Sequence, residues 1–284
     1  MPARSIPFTK MQGCGNDYVY VDGFHHHVDD PVALAKAVSD RRFGVGSDGL
    51  ILILPSDKAD VRMRMWNSDG SESEMCGNGI RCVAKYAYER GLAARKARLT
   101  AETGAGVLGL DLTVKDGVVE AVTVDMGAPR LERAEVPMTG APGRVVEEDL
   151  RAGDRTFRVT CLSMGNPHCV TYVDDVAAFP VERYGPLLET HAVFPRRANI
   201  EFVQVVGRGE VIQRTWERGA GETWACGTGA SAVGVAGVLT GRTDRDVTVH
   251  LRGGDLRIRW APEGHVFKTG PAVVVFDGEW PTGR

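Results

Sequence analysis

Two cysteines, Cys76 and Cys226, begin the same short motif, Cys-Gly-x-Gly, 150 residues apart. Each follows a segment typical of a strand and a polar loop, and each precedes a run of small and apolar residues typical of a helix. Glycines let the backbone turn tightly and leave its amides open to a ligand. We therefore predict that each cysteine lies at or just before a helix N-terminus.

A cysteine in that position can do acid/base chemistry on an amino acid. Free N–H groups and the helix dipole favour negative charge, so such a position lowers the pKa of a thiol and favours the thiolate. Two facing helix starts would also bind a carboxylate, whose negative charge grows when the neighbouring Cα–H proton is removed. With a thiolate on one face and a thiol on the other, the motif predicts inversion of Cα by Cys76 and Cys226.

Short strands dominate the segments that must position these cysteines. Residues 61–65 and 256–260 alternate apolar and polar side chains, which indicates half-buried strands. Long strand sets with few helices predict the α+β class. Strands are predicted at 18–22, 49–54, 61–66, 118–125, 158–161, 169–173, 200–206, 211–218, 247–251, 256–260 and 272–276, and helices at 31–41, 79–91, 180–189 and 228–240.

The chain also carries a weak internal repeat. A strand, a polar loop, the Cys-Gly-x-Gly motif and a helix occur once in each half of the sequence. A length of 284 residues exceeds that of one typical domain. We therefore predict two similar halves that each present one cysteine, joined within the Pro- and Gly-rich residues 126–144.

Composition narrows the possible partners and location. A formal net charge of −3 gives no electrostatic footprint for nucleic acid. No apolar run approaches the roughly 20 residues of a membrane span, and the first residues lack the apolar core of a signal peptide. The six cysteines are too sparse for a disulfide scaffold and lack the spacing of a structural zinc site. The sequence predicts a cytoplasmic protein without nucleic-acid or membrane partners.

Six motifs, found in order over most of the chain, resemble the diaminopimelate epimerase family. The most specific is Trp-Glu-Arg-Gly-Ala-Gly-Glu-Thr-Trp-Ala-Cys-Gly-Thr-Gly at 216–229. The others are KMQGCGND at 10–17, NSDGS at 67–71, MCGNGIRC at 75–82, MGNPH at 164–168 and NIEF at 199–202.

The resemblance implies interconversion of LL- and meso-2,6-diaminopimelate, a step that supplies lysine and, in many bacteria, peptidoglycan precursors. It implies no pyridoxal phosphate, no other cofactor and no metal ion, and it implies a homodimer. The implied fold has two pseudo-symmetric α+β halves. Each is a curled, mostly antiparallel sheet around a central helix, with the active site in the cleft between them. The expected halves are residues 1–126 plus 272–284, with Cys76, and residues 127–271, with Cys226.

The resemblance also assigns roles by position. Cys76 and Cys226 match the acid/base thiols, and His168 and Glu217 match residues that tune them. The substrate α-carboxylate is assigned to Gly77, Asn78, Gly227 and Thr228. Other polar contacts to substrate are assigned to Asn16, Asn67, Asn166, Asn199, Glu217 and Arg218. Some members have Gln where this chain has Gly49, which we include as a further substrate contact.

Three other functions are compatible with parts of the pattern. A proline or hydroxyproline racemase would keep both thiols but would need no site for a distal ammonium and carboxylate. Arg218 is suited to bidentate binding of that carboxylate and Glu217 to binding the ammonium, so both favour the larger substrate. An isomerase on the same fold would replace one thiol by a carboxylate. A non-catalytic binding protein would not need intact thiols.

Overall fold

The computed structural model describes residues 4–282, which divide into two compact units. Unit 1 contains the chain up to Val124 and from Gly270 onward, and unit 2 contains Asp125–Thr269. The expected halves place both boundaries two residues further along the chain than these units do.

Unit 1 is a sheet with two helices. Its helices are α1 (Pro31–Ser39) and α2 (Gly79–Glu89). Its strands are β1 (Arg4–Gly13), β2 (Asn16–Asp22), β3 (Gly49–Leu54), β4 (Val61–Asn67), β5 (Glu72–Ser73), β6 (Arg98–Thr103), β7 (Gly106–Lys115), β8 (Val118–Asp125) and β18 (Val273–Thr282).

Unit 2 has the same kinds of elements. Its helices are α3 (Val181–Glu189) and α4 (Gly227–Leu239), and a 3-10 turn spans Arg133–Glu135. Its strands are β9 (Val145–Ala152), β10 (Arg155–Ser163), β11 (Pro167–Tyr172), β12 (Asn199–Gly207), β13 (Glu210–Glu217), β14 (Gly221–Thr223), β15 (Asp246–Leu251), β16 (Gly254–Trp260) and β17 (Val266–Gly270).

The two sheets repeat one strand order. In unit 1 the order is β18-β1-β2-β3-β4-β6-β7-β8, and in unit 2 it is β9-β10-β11-β12-β13-β15-β16-β17. The first and third pairs of neighbouring strands, counted from β2 in unit 1 and from β11 in unit 2, illustrate the match. The pairs β2–β3 and β4–β6 are parallel, as are β11–β12 and β13–β15, whereas the other neighbours are antiparallel. The prediction of a strand-rich α+β fold built from two similar halves is confirmed.

One helix lies at the centre of each unit. Helix α2 packs against β1 to β4, β6 and β7, and helix α4 packs against β10, β11, β12, β15 and β16. Because α4 consists almost entirely of Gly, Ala and Val with two hydroxyl residues, it has no polar face, and residues 229–237 are all buried. Both central helices start at a Cys-Gly-x-Gly motif, so the fold places each motif at the helix start inside its own sheet.

The other two helices, α1 and α3, each pack on the hydrophobic core of their own unit. In unit 1, α1 packs on β2, β3 and β4 with Leu34, Ala35 and Val38 buried. In unit 2, α3 encloses an aromatic cluster, in which Phe157 lies edge-on to Tyr184 with ring centroids 5.2 Å apart. None of the helices described between residues 4 and 282 has the length and hydropathy needed to cross a membrane.

Candidate active site

Cys76 in unit 1 lies directly before α2, where its sulfur and its backbone both meet the helix start. Its Sγ accepts the Gly79 backbone N–H at 3.3 Å, and its carbonyl accepts the Ile80 N–H at 2.9 Å. The side chain is partly exposed. The first turn of the helix therefore supplies a hydrogen-bond donor to this sulfur, as the motif predicted.

Asn16 is fixed against the same sulfur. The Cys76 thiol donates to Asn16 Oδ1 at 3.2 Å, and Asn16 Nδ2 donates to Asp48 Oδ2 at 2.7 Å. Asp48 in turn accepts a bond from Arg41 at 2.9 Å. An amide bonded at both ends cannot rotate freely, so Asn16 holds one orientation beside Cys76.

Tyr18, which the sequence analysis did not single out, also lies beside Cys76. Burial, and then the charge of a Cys76 thiolate, raise the pKa of its phenol. The phenol therefore stays protonated and keeps an O–H available as a donor near the sulfur.

Arg81, whose side chain is fully buried, holds the loop after Cys76 in place by hydrogen bonds. Arg81 donates to the Gly77 carbonyl at 3.1 Å, to Asn78 Oδ1 at 2.9 Å and to the Pro271 carbonyl at 3.0 Å. The side-chain oxygen of Asn78 is thereby engaged inside the loop. A carboxylate at Gly77 and Asn78, which remains a prediction, would therefore be bound mainly by backbone N–H groups.

Asn67 and Gly49 lie opposite each other at the ends of β4 and β3. Asn67 Nδ2 donates to Ser71 Oγ at 3.0 Å, and the side chain is partly buried. Gly49 is buried, and a Cβ there would lie 2.0 Å from the Trp66 carbonyl oxygen. The strands leave no room for a side chain at Gly49, so any contact from this residue would have to come from its backbone.

Cys226 is the N-cap of α4 in unit 2 and repeats the geometry of Cys76. Its Sγ accepts the Gly229 N–H at 3.3 Å, and its carbonyl accepts the Ala230 N–H at 2.9 Å. Thr228 Oγ1 lies 3.5 Å from the same sulfur. Cys226 is only 5% exposed, however, whereas Cys76 is partly open to solvent.

Burial reverses the effect that the helix start was expected to have at Cys226. Burial, followed by the carboxylates of Glu217 and Glu201, raises the pKa of this thiol well above 9.0. The bonds from Thr228 and Gly229 lower it, but by less. The expectation of a lowered thiol pKa at Cys226 is therefore wrong, because desolvation outweighs the helix terminus.

Asn166 and His168 connect Thr228 to the interior of unit 2. Asn166 Nδ2 donates to Thr228 Oγ1 at 3.3 Å, and His168 Nε2 lies 3.0 Å from Asn166 Oδ1. The other ring nitrogen, Nδ1, lies 2.8 Å from Glu201 Oε1. His168 is fully buried, so these are contacts inside the protein rather than with solvent.

Asn199, Glu217 and Arg218 meet where β12 begins and β13 ends. Asn199 Oδ1 accepts the Arg218 backbone N–H at 3.0 Å, and its Nδ2 donates to the Pro167 carbonyl at 2.9 Å. Glu217 accepts a bond from Thr223 Oγ1 at 2.5 Å. The Arg218 side chain is exposed and donates to the Arg196 carbonyl at 3.2 Å.

Within each unit, the residues named from the sequence therefore come together at one end of the central strands. In unit 1 these are Asn16, Gly49, Asn67, Cys76, Gly77 and Asn78, and in unit 2 they are Asn166, His168, Asn199, Glu217, Arg218, Cys226, Gly227 and Thr228. The substrate contacts assigned to them remain predictions.

Sequence reasoning missed four side chains that support this arrangement: Tyr18, Asp48, Arg81 and Glu201. All four stand inside a motif or directly beside a motif or a named residue, but only Glu201 carried a usable signal. It interrupts the apolar run at 200–203, in a strand whose first five residues are all buried, and a charged residue there requires a specific reason.

No group of three or more His, Cys, Asp or Glu side chains in the described part of the chain is arranged to hold a metal ion. The candidate site consists of two thiols, backbone N–H groups, amides and charged side chains.

Comparisons with known proteins agree over nearly the whole chain. The family model for diaminopimelate epimerase matches residues 8–132 and 160–275. The chain is 56% identical over 282 residues to a diaminopimelate epimerase of Agathobacter rectalis, covering 96% of this chain and 99% of that protein. It is 58% identical over 277 residues to one of Pelotomaculum thermopropionicum, with 96% and 98% covered.

Solved structures with low sequence identity share the fold. A hydroxyproline epimerase of Agrobacterium vitis superposes with a TM-score of 0.71 at 16% identity, over 99% of this chain and 94% of that one. A phenazine biosynthesis protein of the PhzF family from Bacillus anthracis gives 0.70 at 21% identity, over 97% and 99%. At these identities the likeness concerns the fold alone.

Proposed function

The chain belongs to the diaminopimelate epimerase family, and we propose that it interconverts LL-2,6-diaminopimelate and meso-2,6-diaminopimelate by proton transfer at Cα between Cys76 and Cys226. One observation carries the mechanism. In each unit, a cysteine sulfur accepts the N–H of the third residue after it at 3.3 Å, at the start of a central helix. Two sulfurs that accept the same helix-start hydrogen bond suit a reaction that is nearly symmetrical in its two directions.

The stabilisation of charge follows from the same helix starts. When the Cα proton leaves, negative charge develops on the α-carboxylate of the substrate, and preorganised N–H groups at helix N-termini stabilise it. Gly77 and Asn78 in unit 1 and Gly227 and Thr228 in unit 2 are the residues that would donate. No electron sink is then needed, because one backbone donor is worth roughly 3–4 kcal/mol to such a transition state.

The two thiols have different roles in the resting enzyme. The raised pKa of Cys226, caused by burial and by Glu217 and Glu201, keeps it as a thiol at neutral pH. We therefore propose that Cys226 rests as the proton donor and that Cys76 is the first base. In the reverse direction the roles exchange, because each thiol ends the reaction in the other's starting state.

The distal end of diaminopimelate, itself an amino acid, distinguishes this substrate from proline. Arg218 presents an exposed guanidinium, which can bind a carboxylate by two bonds, and Glu217 presents a carboxylate for an ammonium group. Asn67, Asn166 and Asn199 would supply further polar contacts. A proline-type substrate would leave these groups without a partner, which disfavours its binding.

An activity assay in deuterium oxide tests the proposal. Purified, reduced protein should convert LL-diaminopimelate to the meso isomer, with one deuterium at the inverted carbon of the product. L-Proline and trans-4-hydroxyproline should remain unchanged under the same conditions. Inversion of proline without turnover of diaminopimelate would show that the substrate is assigned incorrectly. No turnover of any of them would favour a non-catalytic binding protein.

We also propose that the protein is a cytoplasmic homodimer and that β18 forms the contact between subunits. Along β18, Val273, Val274, Val275 and Phe276 are 36–52% exposed, although all four are apolar. The strand pairs with β1 along one side and lies at the edge of its sheet. A long apolar edge strand is a template for pairing with a second chain.

Val275→Lys should convert the dimer to a monomer, because it places a charge in the middle of the apolar edge. Sedimentation velocity at micromolar concentration measures the result. Val118→Lys on β8 is the matched control, since Val118 and Val275 are both 52% exposed, and it should leave the dimer intact. A dimer that survives Val275→Lys would exclude this edge as the interface.

A further inference from the structure

Glu201 on β12 is a fully buried carboxyl group to which the family motifs assign no role, and the proposed mechanism uses it only as a nearby charge that raises the pKa of Cys226. Its Oε1 lies 2.8 Å from His168 Nδ1. Among residues 4–282, no group hydrogen bonds to its Oε2. Burying a carboxyl group with one partner is costly, and replacing both members of such a buried pair by apolar side chains is often neutral or stabilising for folding. A role in stability therefore does not explain why this residue is a glutamate.

Four contacts lead from Glu201 to the sulfur of Cys226. The first is the contact of Glu201 Oε1 with His168 Nδ1, and the second joins His168 Nε2 to Asn166 Oδ1 at 3.0 Å. The third joins Asn166 Nδ2 to Thr228 Oγ1 at 3.3 Å, and the fourth joins Thr228 Oγ1 to Cys226 Sγ at 3.5 Å. All five residues belong to unit 2.

The chain of contacts has a direction. Because Asn166 donates from Nδ2 to Thr228, its Oδ1 is the acceptor and His168 Nε2 must carry a proton. Because the Thr228 oxygen accepts that bond, its own proton is free to be donated to the Cys226 sulfur. From His168 Nε2 onward, every donor therefore points toward Cys226, which is the direction that stabilises a thiolate there.

The Glu201 carboxyl group also lies next to the first turn of α4. A Cβ on Gly229 would come within 2.7 Å of Glu201 Oε1 and 3.2 Å of Cys226 Sγ. Only a residue without a side chain allows the N–H donor of Gly229, the carboxyl group and the sulfur to lie this close together. Glu201 is thus near enough to influence the thiol both by its charge and through the hydrogen bonds.

We propose that Glu201 is a positioning residue for Cys226: it holds the His168 ring so that Nε2–H meets Asn166, and the aligned amide directs the Thr228 hydroxyl at the sulfur. The inference rests on the proposed role of Cys226 in proton transfer. It extends that role by assigning the group that keeps the donor chain aligned whenever Cys226 is the thiolate.

Two substitutions separate the hydrogen bond from the charge. Glu201→Gln and Glu201→Leu both remove the carboxylate, but only Gln can still hydrogen bond to His168 Nδ1 through its amide. The other charged group facing Cys226 in this unit, Glu217 on β13, is unchanged in both variants. A difference between Gln and Leu therefore reports the hydrogen-bond chain alone.

The measurement is the pH dependence of Cys226 alkylation by iodoacetamide, which reacts with the thiolate. It is made in the full chain with Cys76→Ala and followed by the mass of the Cys226 peptide. The midpoint in the Leu variant should lie above that of the Gln variant by roughly 0.5–1 pH unit, because loss of the Thr228 bond disfavours the thiolate. Equal midpoints in two folded variants would overturn the proposal.

The wild-type residue gives a second comparison in case the Leu variant does not fold. Glu201→Gln removes a negative charge near the sulfur but keeps the donor chain. The midpoint of Cys226 alkylation in this variant should therefore fall below that of the protein with Glu201 by roughly 0.5 pH unit. An unchanged or higher midpoint would contradict the proposal. Glu148→Gln, which removes another carboxylate of unit 2 from its bonds to Arg133, is the control and should leave the midpoint unchanged.

With Cys76 intact, kcat is a second readout. A purely structural role of Glu201 would not separate the Gln variant from the Leu variant in this measurement. The Leu variant should lose roughly tenfold or more in kcat, and the Gln variant less than about threefold, since Gln preserves the contact with His168. Equal losses in both would show that the bond to His168 is not what matters. The alkylation result needs no turnover, so an inactive wild-type protein would end the proposed function without deciding the role of Glu201.

Discussion

Cys76→Ala and Cys226→Ala should each lower kcat for diaminopimelate epimerisation by about 10³-fold or more, because neither proton transfer alone completes inversion. Both sulfurs lie at the start of a central helix and accept an N–H bond from its first turn. Removing one leaves either no base or no acid on one face of Cα. The measurement is the initial rate in both directions, from LL- and from meso-diaminopimelate.

Two other cysteines are matched controls for these substitutions. Cys82 on α2 and Cys161 on β10 are buried free thiols outside the candidate site. Burial raises the pKa of Cys82 to about 11, so it is not a thiolate at neutral pH. Cys82→Ala and Cys161→Ala should keep most of the activity of the folded protein. Near-normal turnover in Cys76→Ala or Cys226→Ala would exclude the two-base mechanism.

Arg81→Lys should lower kcat/KM by about 100-fold or more and should also destabilise unit 1. The guanidinium holds two groups of the Cys76 loop and the Pro271 carbonyl by three separate bonds. Lysine keeps the charge but cannot reproduce this planar arrangement of donors. Each acceptor left unsatisfied inside the protein costs about 1–3 kcal/mol. The loop would move, and with it the sulfur and the backbone donors of Gly77 and Asn78.

Thermal unfolding and steady-state kinetics together measure this effect. Arg62→Lys, on the exposed face of β4, is the control, because the Arg62 side chain is 47% exposed and only approaches Glu102 at 3.9 Å. It should change neither the melting temperature nor kcat/KM appreciably. If Arg81→Lys behaved like Arg62→Lys, the loop would not depend on this guanidinium.

The elements with strong local patterns were predictable from the sequence. Strand β3, at Gly49–Leu54, and strand β8, at Val118–Asp125, begin and end where they were predicted. Helix α1 ends at Ser39 instead of residue 41 because Asp40 leaves the helical conformation and its carboxylate accepts the N–H groups of Arg42 and Phe43. That competition between side chain and backbone is local, but periodicity does not record it.

Strands stabilised mainly by distant partners were harder to find. Strand β1 was not predicted, because Pro7, Thr9 and Lys10 interrupt its apolar pattern. It forms because it pairs with β2 on one side and with β18 on the other. Strand β18 was predicted only to residue 276, and its extension to Thr282 follows the length of β1.

The site was predictable where it depends on motifs and not where it depends on burial. The repeated Cys-Gly-x-Gly motif correctly predicted that each cysteine lies at a helix start. The raised pKa of Cys226 could not be predicted this way, because it depends first on burial and then on carboxylates of β12 and β13 that come close only in the fold. The substrate contact assigned to Gly49 stays a prediction, and it could come only from the backbone, since the Trp66 carbonyl occupies the space of a side chain.

The pairing of β1 with β18 has a consequence for synthesis on the ribosome. Arg4 pairs with Thr282, so β1 waits for a strand that is synthesised after the whole of unit 2. Unit 2 is one continuous segment and can fold as soon as it emerges, whereas the sheet of unit 1 keeps an open edge at β1 until β18 has been synthesised. A ribosome that stops before residue 273 would release a chain whose β1 lacks this partner, and such an unpaired edge is a site of aggregation.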